Sequence, residues 1–147
     1  MTNWAGAQLT ATETAKWAVT MTKVRIRKVR SKTRWQLVTF LGPSRGESVG
    51  VVDLLAVRKD HGKPVTRTKR GDALQIILIQ VKGGRSARPT VEDSERLRVV
   101  ARRVHARHVL LSTRRKGSQA RFFRLRRMVW SPEREWIEIT DLNEIFR

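Results

Sequence analysis

The stretch ALQIILIQVKGG, from Ala73 to Gly84, decides the fold of this chain. Its aliphatic residues form an almost unbroken run, which is typical of a strand buried on both faces of a sheet. The two glycines at its end predict a turn. Gln80 and Lys82 are polar residues near the end of the run. Because side chains alternate along a strand, these two side chains point to the same face of the sheet.

A second apolar run, VGVVDLLAV at residues 49–57, is interrupted by a glycine and by Asp53. The charged segment 58–72 that separates the two runs contains glycines and a proline, and predicts an exposed loop. Consecutive strands are often neighbours in a sheet, so we expect Asp53 beside Gln80 and Lys82. An unpaired carboxylate in mid-strand is costly, so it indicates a partner or a function. Two plainer alternatives are an Asp53–arginine pair and a strand end that has just reached solvent.

The clearest helix follows the glycines. Thr90 precedes it, and the stretch from Thr90 to Asp93 resembles a capping box with Asp in place of Glu. Apolar residues then recur at helical spacing through Leu97 to Val104. Acidic residues lie early in this segment and basic residues late, which suits the helix dipole. His105 and His108, near its end, are predicted to be surface or capping residues, where a helix C-terminus favours the charged form.

The other segments complete an α/β sandwich, with a mixed central β-sheet flanked by helices. We predict a short helix at about 10–19, a final helix opening at 141–144, and strands at 35–41, 108–113, 120–125 and 135–139. Residues 1–34 form a basic N-terminal segment, in which a strand and a flexible arm are both open alternatives for 23–34. Residues 35–147 form the main domain, and the chain has a single domain overall.

The composition indicates a polyanionic partner. The chain has 147 residues with a formal net charge of +19, and nucleic acid is the usual partner of so basic a surface. Cysteine is absent, which excludes disulfides and zinc–thiolate sites. No apolar run approaches the roughly 20 residues that a membrane helix needs, so we expect no membrane contact and a cytoplasmic location. The candidate nucleic-acid-binding residues are Arg25, Arg27, Lys28, Arg30, Arg45, Arg85, Arg88, Arg114, Arg115 and Lys116.

Asp53 on one strand and Gln80-Val81-Lys82 on the next resemble the motif of the PD-(D/E)xK, or restriction-endonuclease-like, nuclease superfamily. The usual D/E-x-K is here Q-x-K, a variant known from the branch that includes type IV restriction endonucleases. The segment from Gln80 through the glycines into the helix is similar to virus-type replication-repair nucleases. The small, basic, one-domain build resembles archaeal Holliday-junction resolvases. The resemblance covers residues 35–125.

The resemblance implies a site for Mg²⁺ or Mn²⁺. It makes Asp53 the central metal ligand, the Gln80 side-chain oxygen a second ligand and the backbone carbonyl of Val81 a third. Lys82 then serves the attacking water, so Asp53, Gln80 and Lys82 form the catalytic set. Members of the superfamily often add a glutamate from the first helix, and here the candidates are Glu13 and Glu47.

The implied activity is that of a Mg-dependent endodeoxyribonuclease that hydrolyses DNA phosphodiesters. A structure-selective enzyme of the Holliday-junction or repair type is expected, with DNA, including branched DNA, as its partner. Branched DNA requires two coordinated cuts, so the family analogy implies a homodimer. Two alternatives stay open from the sequence: a non-catalytic nucleic-acid-binding module of the same fold, and a basic structural protein of a ribonucleoprotein.

Overall fold

The structure is a computed structural model that describes residues 4–40, 50–84, 88–115, 117–127 and 134–147. Its elements are, in chain order, α1 (Trp4–Arg27), β1 (Gln36–Thr39), β2 (Leu54–Lys59), β3 (Leu74–Gly83), α2 (Val91–Val104), β4 (His108–Arg114), β5 (Arg121–Leu125), β6 (Trp136–Ile139) and α3 (Asn143–Phe146). The described helices contain none that is long and apolar enough to cross a membrane.

The strands form one six-stranded sheet in the order β1-β2-β3-β4-β5-β6. Neighbouring strands are antiparallel except β3 and β4, which are parallel. Parallel neighbours need a crossover connection, and α2 supplies it between them. The predicted mixed sheet with flanking helices is therefore confirmed.

Two apolar layers cover the faces of this sheet. Ile77 and Ile79 of β3 pack with residues of α1 and α3, such as Ile26 and Phe146. Leu78, between them, faces the opposite layer, which contains residues of α2. We call these the α1 face and the α2 face. By the alternation along β3, the side chains of residues 80 and 82 belong to the α2 face.

Helix α1 differs from the sequence prediction, because residues 23–27 are its last turns and are neither a strand nor an arm. Ala18, Thr22 and Ile26 are spaced four apart, are all buried, and provide the face that packs on the sheet. The basic residues between them hide this stripe in the sequence. The Thr22 hydroxyl forms a hydrogen bond of 2.6 Å with the Ser112 hydroxyl of β4, which fixes the helix on the sheet.

The cap predicted for α2 is confirmed, since the Thr90 hydroxyl accepts a hydrogen bond of 3.1 Å from the Asp93 N–H. The loop predicted at residues 58–72 begins later than expected, because β2 continues through Lys59. Arg58 is half-buried there, with its guanidinium 4.2 Å from the centre of the Trp35 ring. This stacking explains how a charged residue fits into the strand.

Candidate metal site and basic surfaces

Asp53 lies immediately before β2 and is joined to β3 by two hydrogen bonds. Its backbone N–H donates to the Ile79 carbonyl at 3.0 Å. Its carboxylate oxygen Oδ2 accepts from the Val81 N–H at 2.8 Å. The side chain thus continues the β2–β3 ladder at the point where the regular pairing stops, beyond Leu54 and Ile79. The predicted proximity of Asp53 to the end of the second apolar strand is confirmed.

The backbone of Val81 faces Asp53. In an antiparallel ladder the N–H and C=O of one residue point to the same neighbouring strand. Since the Val81 N–H meets the Asp53 carboxylate, we expect the Val81 carbonyl to point to this side as well. Its position is consistent with the ligand role that the superfamily resemblance implies.

Gln80 is a buried amide whose oxygen accepts no hydrogen bond from the described residues. Its side chain is 5% exposed, and within the described ranges no donor reaches its oxygen Oε1. Regular β2–β3 pairing ends at Leu54 and Ile79, and the Asp53 carboxylate bonds the N–H of Val81, the residue that follows Gln80. An unsatisfied buried acceptor costs about 1–3 kcal/mol. The alternative that Gln80 marks a strand end in solvent is therefore wrong.

Lys82 lies two residues further along, on the same face and half-buried. It stands opposite Thr113 in the β3–β4 register. Among the residues that the structure describes, no carboxylate oxygen lies within 4.0 Å of its ammonium group. A cationic group is thus available beside the amide and the carboxylate.

The oxygen ligands of this cluster fit a small hard cation. A carboxylate, an amide oxygen and a backbone carbonyl suit Mg²⁺, which usually keeps several waters and takes one or two protein carboxylates. A carboxylate has about four lone-pair positions, so accepting the Val81 N–H is compatible with coordination. Groups of three or more His, Asp or Glu side chains arranged around a metal position are absent from the described residues. The fit therefore depends on Gln80.

The predicted fourth ligand stays untested. Glu13 lies on α1, about 14 Å along the helix axis from Thr22, and its side chain is outside the described residues. Glu47 also lies outside them. Thr22 itself contacts Ser112, the register partner of Val81. Helix α1 therefore crosses the sheet near Val81, on the face opposite to the Gln80 and Lys82 side chains.

The predicted nucleic-acid-binding residues fall into several groups. Arg114 ends β4 opposite Gly83, close to Lys82, and Arg115 follows it, exposed. Arg88 is exposed before α2, with its guanidinium 5.2 Å from the centre of the Phe123 ring. The residues Arg27, Lys28 and Arg30 are exposed at the end of α1. The residues Arg45, Arg85 and Lys116 lie outside the described ranges.

Arg25 is the exception in this set, because it has a structural role. Its guanidinium donates a hydrogen bond to the Ala120 carbonyl and lies 5.5 Å from the centre of the Phe122 ring. The side chain thereby ties α1 to the start of β5. Helical spacing places it next to the buried Ile26, which a strand or arm interpretation of this segment does not reveal.

A cleft of about 1010 Å³ opens at the other end of the sheet, between the C-terminus of α2 and the ends of β4 and β5. We call it the arginine cleft. Its charged and titratable lining residues are Arg98, Arg102, His105, Arg107, His108, Arg124, Arg126 and Arg127. Sequence analysis did not identify this site, because its members come from separate segments and become neighbours only through the β4–β5 pairing.

His108 reports the electrostatics of the arginine cleft. Burial, and after it the positive charges of Arg107, Arg124 and Arg127, together lower the pKa of His108 to about 4. The imidazole is therefore neutral at pH 7, and the expectation of a cationic His108 is wrong. Burial together with the guanidinium groups outweighs the partial negative charge of the helix end.

These features together define the restriction-endonuclease-like α/β fold. The chain is similar to a solved structure, that of Hjc, a Holliday junction resolvase from Archaeoglobus fulgidus. The identity is 15%, the TM-score is 0.51, and the similarity covers 90% of this chain and 99% of that one. No family model matches the sequence. No curated protein matches it either. At this identity the similarity establishes the fold, which confirms the predicted fold class.

Proposed function

We propose that the chain is a metal-dependent nuclease that hydrolyses DNA phosphodiesters at the cluster of Asp53, Gln80 and Lys82. The observation that carries the proposal is the buried Gln80 oxygen, which no donor of the described residues reaches, one residue before the Val81 N–H that holds the Asp53 carboxylate. A buried acceptor without a donor destabilises the fold, and ligand binding is a physical reason to retain it. The similarity to a Holliday junction resolvase supports the same activity.

Asp53, Gln80 and the Val81 carbonyl are the proposed ligands of Mg²⁺ or Mn²⁺. A bound divalent cation supplies positive charge against a phosphate oxygen and favours ionisation of a water. Asp53 is held in place by its hydrogen bond to β3, so the ligand geometry needs little rearrangement. Gln80 carries no charge, so the site offers fewer negative charges than a site with two carboxylates, and we expect weaker metal binding.

Lys82 is the proposed catalytic base or charge-stabilising group. Its Nζ can orient the attacking water, accept its proton, or stabilise the negative charge that develops on the phosphate. Its half-buried position near the end of β3 keeps it close to the ligands and open to substrate. Arg114 and Arg115, at the same end of the sheet, are suited to hold the DNA backbone.

For the substrate, we propose branched DNA of the Holliday-junction or repair type, cut by a homodimer. The similarity to a junction resolvase over almost the whole of both chains supports this. The positive charge provides affinity for phosphates but little choice of sequence, which suits selection by DNA shape.

A second candidate function is a non-catalytic nucleic-acid-binding module of the same fold. The observation that favours it is the single acidic side chain, Asp53, in the described part of the cluster. The neutral Gln80 would then be a remnant without a ligand. This alternative predicts DNA binding that divalent metals do not change.

The experiment that separates the two is cleavage of labelled duplex, single-stranded and four-way-junction DNA with Mg²⁺, Mn²⁺ or EDTA. Wild type is compared with Lys82→Ala and with Lys59→Ala, which removes the same charge at the other end of the β2–β3 pair. We expect metal-dependent cleavage of the junction, lost by about 10²-fold or more in Lys82→Ala and retained in Lys59→Ala. Tight binding without cleavage, equal in all three proteins, would leave the binding module as the function.

A further inference from the structure

The arginine cleft lies away from the candidate metal site. Lys82 is opposite Thr113 in the parallel β3–β4 register, and His108 is opposite Ile77. The step from Thr113 back to His108 is five residues, or about 17 Å along the strand. The cleft and the candidate metal site therefore lie at opposite ends of β3 and β4.

The charge in the arginine cleft is mostly uncompensated. Arg98 is buried and paired with Glu95 at 2.6 Å and with Glu135 at 2.9 Å. Its Nε also donates to the Arg126 carbonyl at 3.0 Å, so this side chain holds the cleft together. The other arginines of the cleft are Arg102, Arg107, Arg124, Arg126 and Arg127. In the part of the chain that the structure describes, none of them has a carboxylate oxygen within 4.0 Å.

This arrangement costs free energy unless an anion offsets it. Like charges gathered on rigid elements repel one another; at His108, Arg107, Arg124 and Arg127 add to the larger effect of burial in lowering the pKa. The exposed loop between β2 and β3 adds more basic residues at the same end of the sheet, namely Lys63, Arg67, Lys69 and Arg70. Arg107 connects the two features, since its backbone N–H donates to the Ile76 carbonyl of β3 at 2.7 Å.

We propose that the arginine cleft is a second phosphate-binding surface, which contacts the backbone of a nucleic acid duplex at the end of β3 and β4 opposite to Lys82. The proposal deepens the function proposed above, on which it rests for the choice of nucleic acid as the ligand. A duplex fits better than an acidic peptide, because the basic surface extends from the cleft over the neighbouring loop. Arginine suits such a surface, since its planar guanidinium forms two parallel hydrogen bonds with a phosphate.

The test is duplex binding by fluorescence anisotropy in EDTA over a series of salt concentrations. Arg124→Ala/Arg127→Ala removes two exposed, unpaired charges from the cleft. The matched control Arg96→Ala/Arg121→Ala removes the same formal charge from exposed arginines that already pair with Asp93 and Glu138. Melting temperatures of both double variants establish that they fold.

We expect the cleft variant to bind the duplex at least tenfold more weakly at 0.1 M salt. The negative slope of log K against log salt should become shallower by about 2. The control should change both quantities much less. Equal weakening in the two variants would overturn the proposal, because it would show a response to net charge alone. Tighter binding of a polyglutamate peptide than of the duplex at equal charge would also overturn it, in favour of an acidic protein partner.

A second readout is the pKa of His108, followed by NMR of its imidazole. Phosphates in the cleft offset the charges of Arg107, Arg124 and Arg127, so a bound duplex should raise this pKa from its starting value. An unchanged pKa at saturating duplex would contradict the proposal. Both readouts are taken in EDTA and measure binding alone, so a failure of the proposed nuclease activity leaves this test intact.

Discussion

Replacement of Gln80 by leucine tests whether its buried oxygen is a metal ligand. Without metal, Gln80→Leu removes an acceptor that no described donor satisfies, so the free energy of unfolding should stay the same or rise by about 1 kcal/mol. With Mg²⁺ at ten times its Kd, wild type should gain about 1.4 kcal/mol by linkage. The variant has lost a ligand and should gain much less.

Urea denaturation of both proteins, with MgCl2 and with NaCl of matched ionic strength, measures these differences. Gln75→Leu is the matched control, because Gln75 lies on the same strand and its amide oxygen accepts a hydrogen bond of 2.8 Å from Arg58. The control should lose about 1 kcal/mol without metal and retain the gain with Mg²⁺. The reasoning fails if Gln80→Leu loses as much stability as Gln75→Leu and keeps the whole Mg²⁺ gain.

Three further predictions concern the metal site, the arginine cleft and the helix contact. Asp53→Asn should remain folded, keep duplex binding and lose metal-dependent cleavage by about 10²-fold or more. Calorimetry measures its Mn²⁺ binding and a cleavage assay its activity. Unchanged Mn²⁺ binding would contradict the ligand role. Because the pKa of His108 is about 4, below its ordinary value of 6.5, acid protonates the unfolded chain first, and stability should fall from about pH 6.5 towards pH 4. Solvent screening of this half-exposed ring limits the loss to about 1 kcal/mol relative to His108→Gln; parallel pH curves for the two proteins would refute it. Thr22→Val removes the partner of the buried Ser112 hydroxyl and should lower the free energy of unfolding, measured by urea denaturation, by about 1–2 kcal/mol. Adding Ser112→Ala should recover part of this loss. Additive losses in the double variant would count against the contact.

The β3 strand and α2 were predictable because local pattern determines them. A long aliphatic run ended by two glycines has few alternatives to a buried strand, and the Thr90 cap with an amphipathic segment specifies a helix. The same local logic identified Asp53, since a carboxylate next to a buried strand needs a partner. Pairing of consecutive strands then brought it to Val81.

Other features depend on tertiary neighbours that the sequence does not reveal. The last turns of α1 contain many cations, and only the sheet below explains why Ala18, Thr22 and Ile26 face inward. The lowered pKa of His108 depends first on burial and then on arginines, some of which strand pairing brings from another segment. Long-range contacts of this kind override local propensity, which is why both features were predicted wrongly.

The charges of the chain explain how a site with one described carboxylate could still work. Each carboxylate replaced by an amide weakens the attraction for a divalent cation, but it also reduces the repulsion between the site and a DNA phosphate. In a chain of net charge +19, basic residues can bind the DNA backbone before the metal is in place. Under the proposed nuclease function, the scissile phosphate would bring the negative charge that Gln80 lacks, so metal and DNA should bind cooperatively. By linkage, any such cooperativity must appear equally in the metal affinity and in the DNA affinity.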